Sequence, residues 1–168
     1  MITINLICVG NLKEKFSKDE QEEYLKRLSA FCKLNVIEIK EQNQLENPAL
    51  ILEKEGEDIL KKLKGYTILC DINSKQLSSE KLAEKINSLT METSTINFVI
   101  GGSYGVSEKV KAMANEKISF SQMTFPHNLF RIMLLEQVYR AFTITILTRL
   151  STFSDPATRW SGWGWSPL

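Results

Sequence analysis

Histidine is almost absent from this sequence of 168 residues, and cysteine is sparse. His127 is the only histidine, which excludes a histidine-rich metal site and leaves a Ser-His-Asp hydrolase with one candidate base. The three cysteines lie far apart and form no C-x-x-C pair: Cys8, Cys32 and Cys70. We therefore expect reduced thiols in a cytoplasmic protein, without a disulfide or zinc framework.

The sequence also lacks a long apolar run and a strong charge imbalance. No run of about 18 apolar residues is present to span a bilayer, and we expect no signal peptide, because the first residues include no basic region. The net charge is +1, so the field of the whole molecule does not draw it strongly to nucleic acid or to a membrane. A nucleic-acid partner would be held by a local patch, a second subunit or a larger assembly.

What the sequence does contain is a regular alternation of strand-like and helix-like segments. Apolar, β-branched runs predict strands at residues 2–9, 34–39, 66–71, 96–100 and 118–121. Apolar residues at helical spacing predict helices at about 17–31, 48–63, 78–89, 107–115 and 127–142. This alternation is typical of the α/β class, with a mostly parallel sheet and helices on both faces.

Local signals predict where several of these elements begin and end. Ser17 begins a capping-box pattern, Pro48 suits a first helical turn, and Gly65 is placed as the residue after a helix C-cap. Residues 144–150 fit either a strand or an extension of the preceding helix. Residues 151–168 hold three tryptophans among glycine, serine and proline, show no period, and predict no regular structure.

Two loops between a strand and a helix expose backbone in a way that suits a ligand. Gly101-Gly-Ser-Tyr-Gly105 follows a predicted strand, and its glycines allow a ligand to approach the main chain. Ser119-Phe-Ser-Gln-Met-Thr-Phe125 leads to Pro126 and a helix. Each loop alone is equally compatible with an ordinary strand–helix connection. In parallel sheets, however, ligands bind outside the carboxyl ends of strands, where these loops and Leu69-Cys-Asp71 would meet.

The helix predicted at 127–142 carries polar residues within an otherwise apolar segment. Arg131 could face a phosphate, whereas Glu136 and Arg140 have the spacing of an intrahelical pair. Apolar residues lie on more than one side of this helix, which predicts burial and is compatible with a subunit interface.

Three motifs, in this order and spacing, resemble the family of ribosomal RNA large subunit methyltransferase H, in the SPOUT class of knotted methyltransferases. They are Ile100-Gly-Gly-Ser-Tyr-Gly, Ser119-Phe-Ser-Gln-Met-Thr-Phe-Pro-His and Glu136-Gln-Val-Tyr-Arg-Ala-Phe. Shorter similarities occur at Val9-Gly-Asn-Leu-Lys, Glu53-Lys-Glu-Gly56 and Leu77-Ser-Ser-Glu80, so that the resemblance covers roughly residues 1–142.

The resemblance implies a fold and a cofactor site. The C-terminal part of the α/β sheet domain would form a deep trefoil knot, which is rare in proteins. The knot would bind S-adenosylmethionine. Residues lining that site would be Cys70, Gly101, Phe120, Ser121, Gln122, Met123, Thr124 and Phe125.

The resemblance also implies a substrate and partners. The enzyme would be a homodimer with its last helix in the interface, and would methylate N3 of a pseudouridine in 23S rRNA on the assembled 70S ribosome. No metal and no membrane would be involved. His127 and Arg131 are candidates for positioning the substrate or contacting phosphate. Alternatives are a knotted methyltransferase acting on tRNA and a non-catalytic ribosome-binding or assembly protein that retains the fold.

The resemblance stops shortly after the helix that ends the third motif. We expect one methyltransferase domain at residues 1–145 and an atypical tail at 146–168. Family members normally end with a Tyr-His pair beside a basic residue, and no second histidine is present here. We hypothesise that the tail is a frameshift or readthrough product, or a divergent extension. Translating the coding DNA in the other two frames tests this, because a frameshift predicts a Tyr-His ending in one of them.

Overall fold

A computed structural model describes residues 1–153 and contains five strands alternating with five helices. In chain order they are β1 Thr3–Val9, α1 Lys15–Leu28, β2 Lys33–Ile39, α2 Pro48–Leu60, β3 Tyr66–Cys70, α3 Ser79–Glu92, β4 Thr95–Ile100, α4 Glu108–Met113, β5 Glu116–Ile118 and α5 His127–Phe153. The predicted α/β class is confirmed.

The five strands form one sheet in the order β2-β1-β4-β3-β5, and every pair of neighbouring strands is parallel. Helices α1, α3 and α5 pack together beside the larger apolar core, whereas α2 and α4 contact each other beside the smaller one. Because both faces are covered, the central strands are apolar along nearly their whole length. Their carboxyl ends all lie at one edge of the sheet.

A row of polar side chains crosses the middle of this apolar sheet. The Asn35 side-chain amide donates to Asn5 Oδ1 at 2.9 Å, and the Asn5 amide donates to Asn97 Oδ1 at 3.0 Å. The Asn97 amide then donates to Thr67 Oγ1 at 3.1 Å and to the Lys64 carbonyl at 2.8 Å. These residues face one another in register on β2, β1, β4 and β3. The row fixes the register, because a shifted strand would leave buried amides without partners.

Two predicted helix signals are wrong in position. Helix α1 begins at Lys15 after the extended residue Glu14, so Ser17 lies inside the first turn and does not cap the helix. An ion pair between Lys15 and Asp19, 2.8 Å long, accompanies this earlier start. Helix α2 ends at Leu60, and Gly65, with φ +79°, instead forms the turn into β3. Pro48 does occupy the first turn of α2.

Strand β5 lies two residues earlier than the sequence predicts. Glu116 pairs with Ile68 and Ile118 with Cys70, whereas the prediction began at Ile118. The charged residues hid the strand from a search for apolar runs. Glu116 is tolerated because β5 is an edge strand, and because its carboxylate binds Lys85 Nζ at 2.8 Å.

Helix α5 continues well beyond the predicted end at residue 142, so residues 144–150 are helical. The proposed boundary at residue 145 therefore falls within a helix, and the division into domain and tail stays a prediction. Residues 154–168, with all three tryptophans, lie outside the described part of the chain. None of the helices described within residues 1–153 is long and apolar enough to cross a membrane.

The chain after β5 runs beside the loop that follows β3. The Asp71 N–H donates to the Ile118 carbonyl at 2.9 Å, and the Ser119 N–H donates to the Lys75 carbonyl at 3.0 Å. The chain then returns across the sheet as α5 to pack against α3 and α1. This path is consistent with the deep trefoil knot, which itself stays a prediction.

Candidate functional site

A cleft of about 730 Å³ opens at the carboxyl edge of the sheet, where β3, β4 and β5 end. Its walls are the loop after β3, the glycine loop after β4 and the segment between β5 and α5. The volume lies in the range of sites for small molecules and cofactors. Three segments that are distant in sequence thus form one site, at the edge where the parallel topology places it.

The glycine loop is a compact turn that lies against the main chain. The Gly105 N–H donates to the Gly102 carbonyl at 3.0 Å, and Gly105 has φ +83°. A Cβ on Gly101 would lie 2.6 Å from the Gly105 carbonyl oxygen, and one on Gly102 would lie 2.9 Å from Val9 Cγ1. A Cβ on Gly101 would collide with main chain and one on Gly102 with the side chain of Val9, so at these two positions the cleft is lined by main chain alone.

The sequence of this loop, Gly101 to Gly105, also matches the motif G-x-S-x-G, which forms the nucleophile turn of serine hydrolases. That turn holds its serine in a strained backbone conformation, yet among the described residues only glycines have positive φ. Ser103 is exposed and donates no hydrogen bond to His127. The structure therefore does not support the Ser-His-Asp hydrolase alternative.

The opposite wall is the segment from Ser119 to Pro126. The Ser119 hydroxyl donates to the Ser121 carbonyl at 2.9 Å, and the Met123 N–H donates to Ser121 Oγ at 3.0 Å. The rings of Phe120 and Phe130 lie 4.8 Å apart, which joins this segment to α5. The segment is thus ordered by short-range contacts and presents main-chain groups to the cleft.

Most of the predicted site residues lie around this one cleft. Those that line it are Cys70, Gly101, Phe120, Ser121, Met123, Thr124, Phe125 and His127. Gln122 belongs to the same segment but is exposed and does not line the cleft. Arg131 does not line it either. Sequence reasoning did not name Asp71 and Lys111 as site residues, although both line the cleft.

His127 sits at the first residue of α5, where the cleft meets the ends of β1 and β2. Its Nε2 lies 3.9 Å from Glu41 Oε1, and its side chain is 30% exposed. A Cβ on Gly10 would lie 3.4 Å from that nitrogen. Glu41 lies in a polar loop that gave no sequence signal, and only the fold shows that it faces the histidine.

Arg131 is fully buried and has protein partners in three other segments of the chain. Its Nη1 donates to Glu38 Oε1 at 2.7 Å and reaches Gln21 Oε1 at 3.5 Å, while Nη2 donates to the Gly10 carbonyl at 2.8 Å. Direct contact with an RNA phosphate is incompatible with this burial, so that part of the expectation does not fit the structure. The burial of Arg131 and its three partners suit a positioning role instead.

Glu55 is a second buried charged residue near the cleft. It is 5% exposed, its Oε1 accepts the Gln42 N–H at 3.0 Å, and its Oε2 would contact a Cβ on Gly102 at 3.2 Å. Burial raises the pKa of this carboxyl, Glu41 raises it further, and the Gln42 hydrogen bond opposes the rise. Glu55 belongs to the Glu53–Gly56 motif, to which the sequence assigned no role.

The cysteines near the site are neutral thiols. Burial raises the pKa of the Cys70 thiol far above its ordinary value, and raises that of Cys8 to about 12. Cys70 therefore contributes an uncharged wall to the cleft and not a nucleophile. In the part of the chain that the structure describes, no group of three His, Cys, Asp or Glu side chains is arranged to hold a metal ion.

Comparison with known proteins gives concordant similarities. The family described as "Predicted SPOUT methyltransferase" matches residues 2–148. A protein of Clostridium acetobutylicum named "Ribosomal RNA large subunit methyltransferase H" is 51% identical over 152 residues, which cover 86% of this chain and 96% of that protein. A protein of the same name from Caldicellulosiruptor saccharolyticus is 50% identical over 145 residues, covering 84% and 94%.

A solved structure shares the fold at low identity. It is a probable methylase family protein from Haemophilus influenzae, with a TM-score of 0.50 and 11% sequence identity. The match covers 89% of this chain and 69% of that one. At this identity the likeness concerns the fold alone.

Proposed function

This chain belongs to the SPOUT methyltransferase family, and from that premise we propose that it transfers a methyl group from S-adenosylmethionine to 23S rRNA. The finer proposal is methylation at N3 of a pseudouridine on the assembled 70S ribosome. The observation that carries the proposal is the single cleft formed by the glycine loop and residues 119–126. The names of relatives with about 50% identity support the choice of rRNA over tRNA.

The residues around the cleft fit the proposed cofactor. Gly101 and Gly102 line the cleft with main chain that carries no side chain, which suits close approach of a flat group such as adenine. Residues 120–125 offer main-chain donors and acceptors opposite these glycines, with the apolar rings of Phe120 and Phe125 beside them. Cys70, as a neutral thiol, places no nucleophilic thiolate beside the sulfonium of the cofactor.

Methyl transfer also requires that a proton leave N3 of the substrate. Bound S-adenosylmethionine would supply an electrophilic methyl group, so the protein's own tasks are alignment and proton removal. Asp71, Lys111 and His127 are titratable residues on the cleft wall. Lys111 is paired with Glu108 at 2.7 Å, and Asp71 Oδ1 accepts the Asn73 N–H at 3.1 Å.

We propose that the imidazole of His127 accepts the proton that leaves N3 of the pseudouridine. Imidazole is the side chain that exchanges protons most readily near neutral pH. The carboxylate of Glu41, 3.9 Å from Nε2, would stabilise the imidazolium that forms. Glu41 thereby acts on the substrate only through His127.

The proposal extends to assembly and location. We propose a cytoplasmic homodimer in which α5 contributes the interface. Helix α5 exposes apolar side chains near its C-terminal end, including Ile146 and Leu147. A second subunit would also enlarge the surface available to an RNA, since one chain carries a net charge of only +1.

Two measurements on the full chain test the function. Calorimetric titration with S-adenosylmethionine measures cofactor binding. Transfer of a radiolabelled methyl group to 70S ribosomes, free 50S subunits and tRNA measures substrate choice. We expect binding, and label in 70S particles. Label in tRNA alone would favour the tRNA enzyme, and binding without transfer would favour the non-catalytic ribosome-binding protein. Absence of binding would overturn the proposal.

His127→Gln and Glu41→Gln refine this test. We expect His127→Gln to lower the methyl-transfer rate by roughly 10²-fold or more while S-adenosylmethionine binding is retained. Glu41→Gln should lower the rate less than His127→Gln does. Equal rates for wild type and His127→Gln would exclude His127 as the proton acceptor.

A further inference from the structure

Arg131 is a fully buried cation that the proposed chemistry does not use. It lies one helical turn after His127 on α5 and joins this helix to three other parts of the chain. Its partners are the carbonyl of Gly10, the carboxylate of Glu38 and the side-chain oxygen of Gln21. Its Nε has no hydrogen-bond partner within residues 1–153.

Global stability alone is a weak explanation for such a residue. Burying a charge is costly, and a buried ion pair is often no more stabilising than apolar side chains of similar size. Here one partner, Glu38, is 42% exposed at its side chain, whereas Arg131 is 1% exposed. The desolvation cost of burying Arg131 is therefore better explained by a role in fixing the position of α5 than by global stability.

The geometry fixed by Arg131 centres on Gly10, at the end of the central strand β1. Gly10 has φ +88°, and its N–H donates to the Ile39 carbonyl at 2.8 Å. Its main chain is thus held by β2, and its carbonyl receives the guanidinium of Arg131. His127 packs against the same glycine. The first two turns of α5 are therefore docked onto the rigid sheet at Gly10.

This docking matters because the cofactor loop, residues 120–126, has little anchorage of its own. Within the described chain its hydrogen bonds join only residues close in sequence. Upstream it is tied through Ser119, which donates to the Lys75 carbonyl. Downstream it leads directly into α5, through the Phe120–Phe130 contact and the Phe130 N–H bond to Pro126. The place of α5 consequently sets the place of the loop.

We propose that Arg131 is a positioning residue that holds the cofactor loop opposite the Gly101–Gly105 loop. This inference rests on the proposed function, because it takes the cleft to be the S-adenosylmethionine site. Arg131 reaches the cofactor only through α5 and the loop.

The test compares Arg131→Met and Arg131→Lys with wild type and with Ile59→Ala. Ile59 is 1% exposed in the smaller core, and it does not line the cleft. Its truncation lowers global stability without touching α5. Three quantities are measured well below the unfolding temperature: the free energy of unfolding in urea, the S-adenosylmethionine Kd by calorimetry, and amide hydrogen exchange of residues 120–125 in the cofactor-free protein.

We expect Arg131→Met to weaken S-adenosylmethionine binding by roughly tenfold or more and to accelerate amide exchange in residues 120–125, with β1 and β4 still protected. Arg131→Lys should restore part of both effects, since it keeps the charge but loses the planar fork. Ile59→Ala should leave Kd and loop exchange unchanged.

Unchanged loop exchange in Arg131→Met would overturn the inference, as would equal loss of affinity in Ile59→Ala. If wild type binds no S-adenosylmethionine, the proposed function fails instead. The exchange data would still decide whether Arg131 orders the loop.

Discussion

At Gly101 a single methyl group is expected to change the cofactor cleft. In Gly101→Ala the new Cβ would lie 2.6 Å from the Gly105 carbonyl oxygen, so main chain must move. The strain of such overpacking is about 1–3 kcal/mol, and we expect S-adenosylmethionine affinity to fall about tenfold. Calorimetric Kd values check this. Lys109→Ala is the control and should bind like wild type, because Lys109 is an exposed residue of α4 that does not line the cleft.

Glu55 is expected to make stability depend on pH. Burial raises its pKa in the folded state, so the folded protein holds this proton at pH values where the unfolded chain has released it. The stabilising contribution of Glu55 to the unfolding free energy is present at pH values below the ordinary glutamate pKa. It is lost as pH rises through the raised pKa of the folded state. Relative to Glu55→Gln, wild type should lose unfolding free energy from pH 4 to 7. Urea titrations measure it; parallel curves would contradict the assignment.

A place in the candidate site could be predicted for single residues that belong to a recognisable motif. Gly101 and the segment 120–125 stand out because glycine and small polar residues follow strands, and the structure brings them together. Glu41 and Glu55 did not stand out, since a glutamate in a polar loop or on a helix is ordinary. Their importance arises from long-range packing against His127 and Gly102, which no local pattern encodes.

At the scale of elements, the polar row across the sheet should be essential at its centre and less so at its end. Asn97→Ala removes an acceptor from the buried Asn5 and a donor from the buried Thr67, and also the part-buried bond to the Lys64 carbonyl. We expect a loss of about 2–4 kcal/mol in unfolding free energy. Asn35→Ala, at β2, removes one part-buried bond and should cost about 1 kcal/mol. Urea denaturation of both variants tests the difference; equal losses would contradict it.

The bounds of an element were predicted well where its residues face the core. They were predicted poorly for the charged strand β5 and for the C-terminal end of α5. Strand β4 was found within one residue because it is uniformly buried. Strand β5 was misplaced because Glu116 and Lys117 are unlike strand residues and are stabilised by tertiary contacts. The end of α5 was missed because the pattern of residues 144–150 fits both a strand and a helix. Packing of their helix against α3 and α1 decides between them.

At the scale of the whole molecule, α5 is expected to join two copies of the chain. Ile146 and Leu147 are exposed at 41% and 40% on this helix. Light scattering should give about twice the chain mass of 19.2 kDa. Ile146→Glu with Leu147→Glu should give a monomer, because the charges would be buried in the interface. Leu50→Glu, on α2 and 50% exposed, is the control. A monomeric wild type would contradict the proposal.

The class of the whole fold followed from the sequence, but its arrangement did not. Alternating strands and helices indicate a parallel sheet with two covered faces. They do not specify the order β2-β1-β4-β3-β5, which places the loops after β3, β4 and β5 around one cleft. That order depends on which strands find partners over long sequence distances. The family resemblance implied that Cys70, Gly101 and residues 120–125 share one site, but it did not give the order of the strands.

The solitary histidine at the cleft has a spectroscopic consequence. Because the sequence contains one histidine, the aromatic proton spectrum holds a single set of imidazole resonances and needs no assignment by mutation. Those nuclei sit where the glycine loop, the cofactor loop and Glu41 converge. Any molecule that contacts His127 in the cleft is therefore reported by one isolated signal.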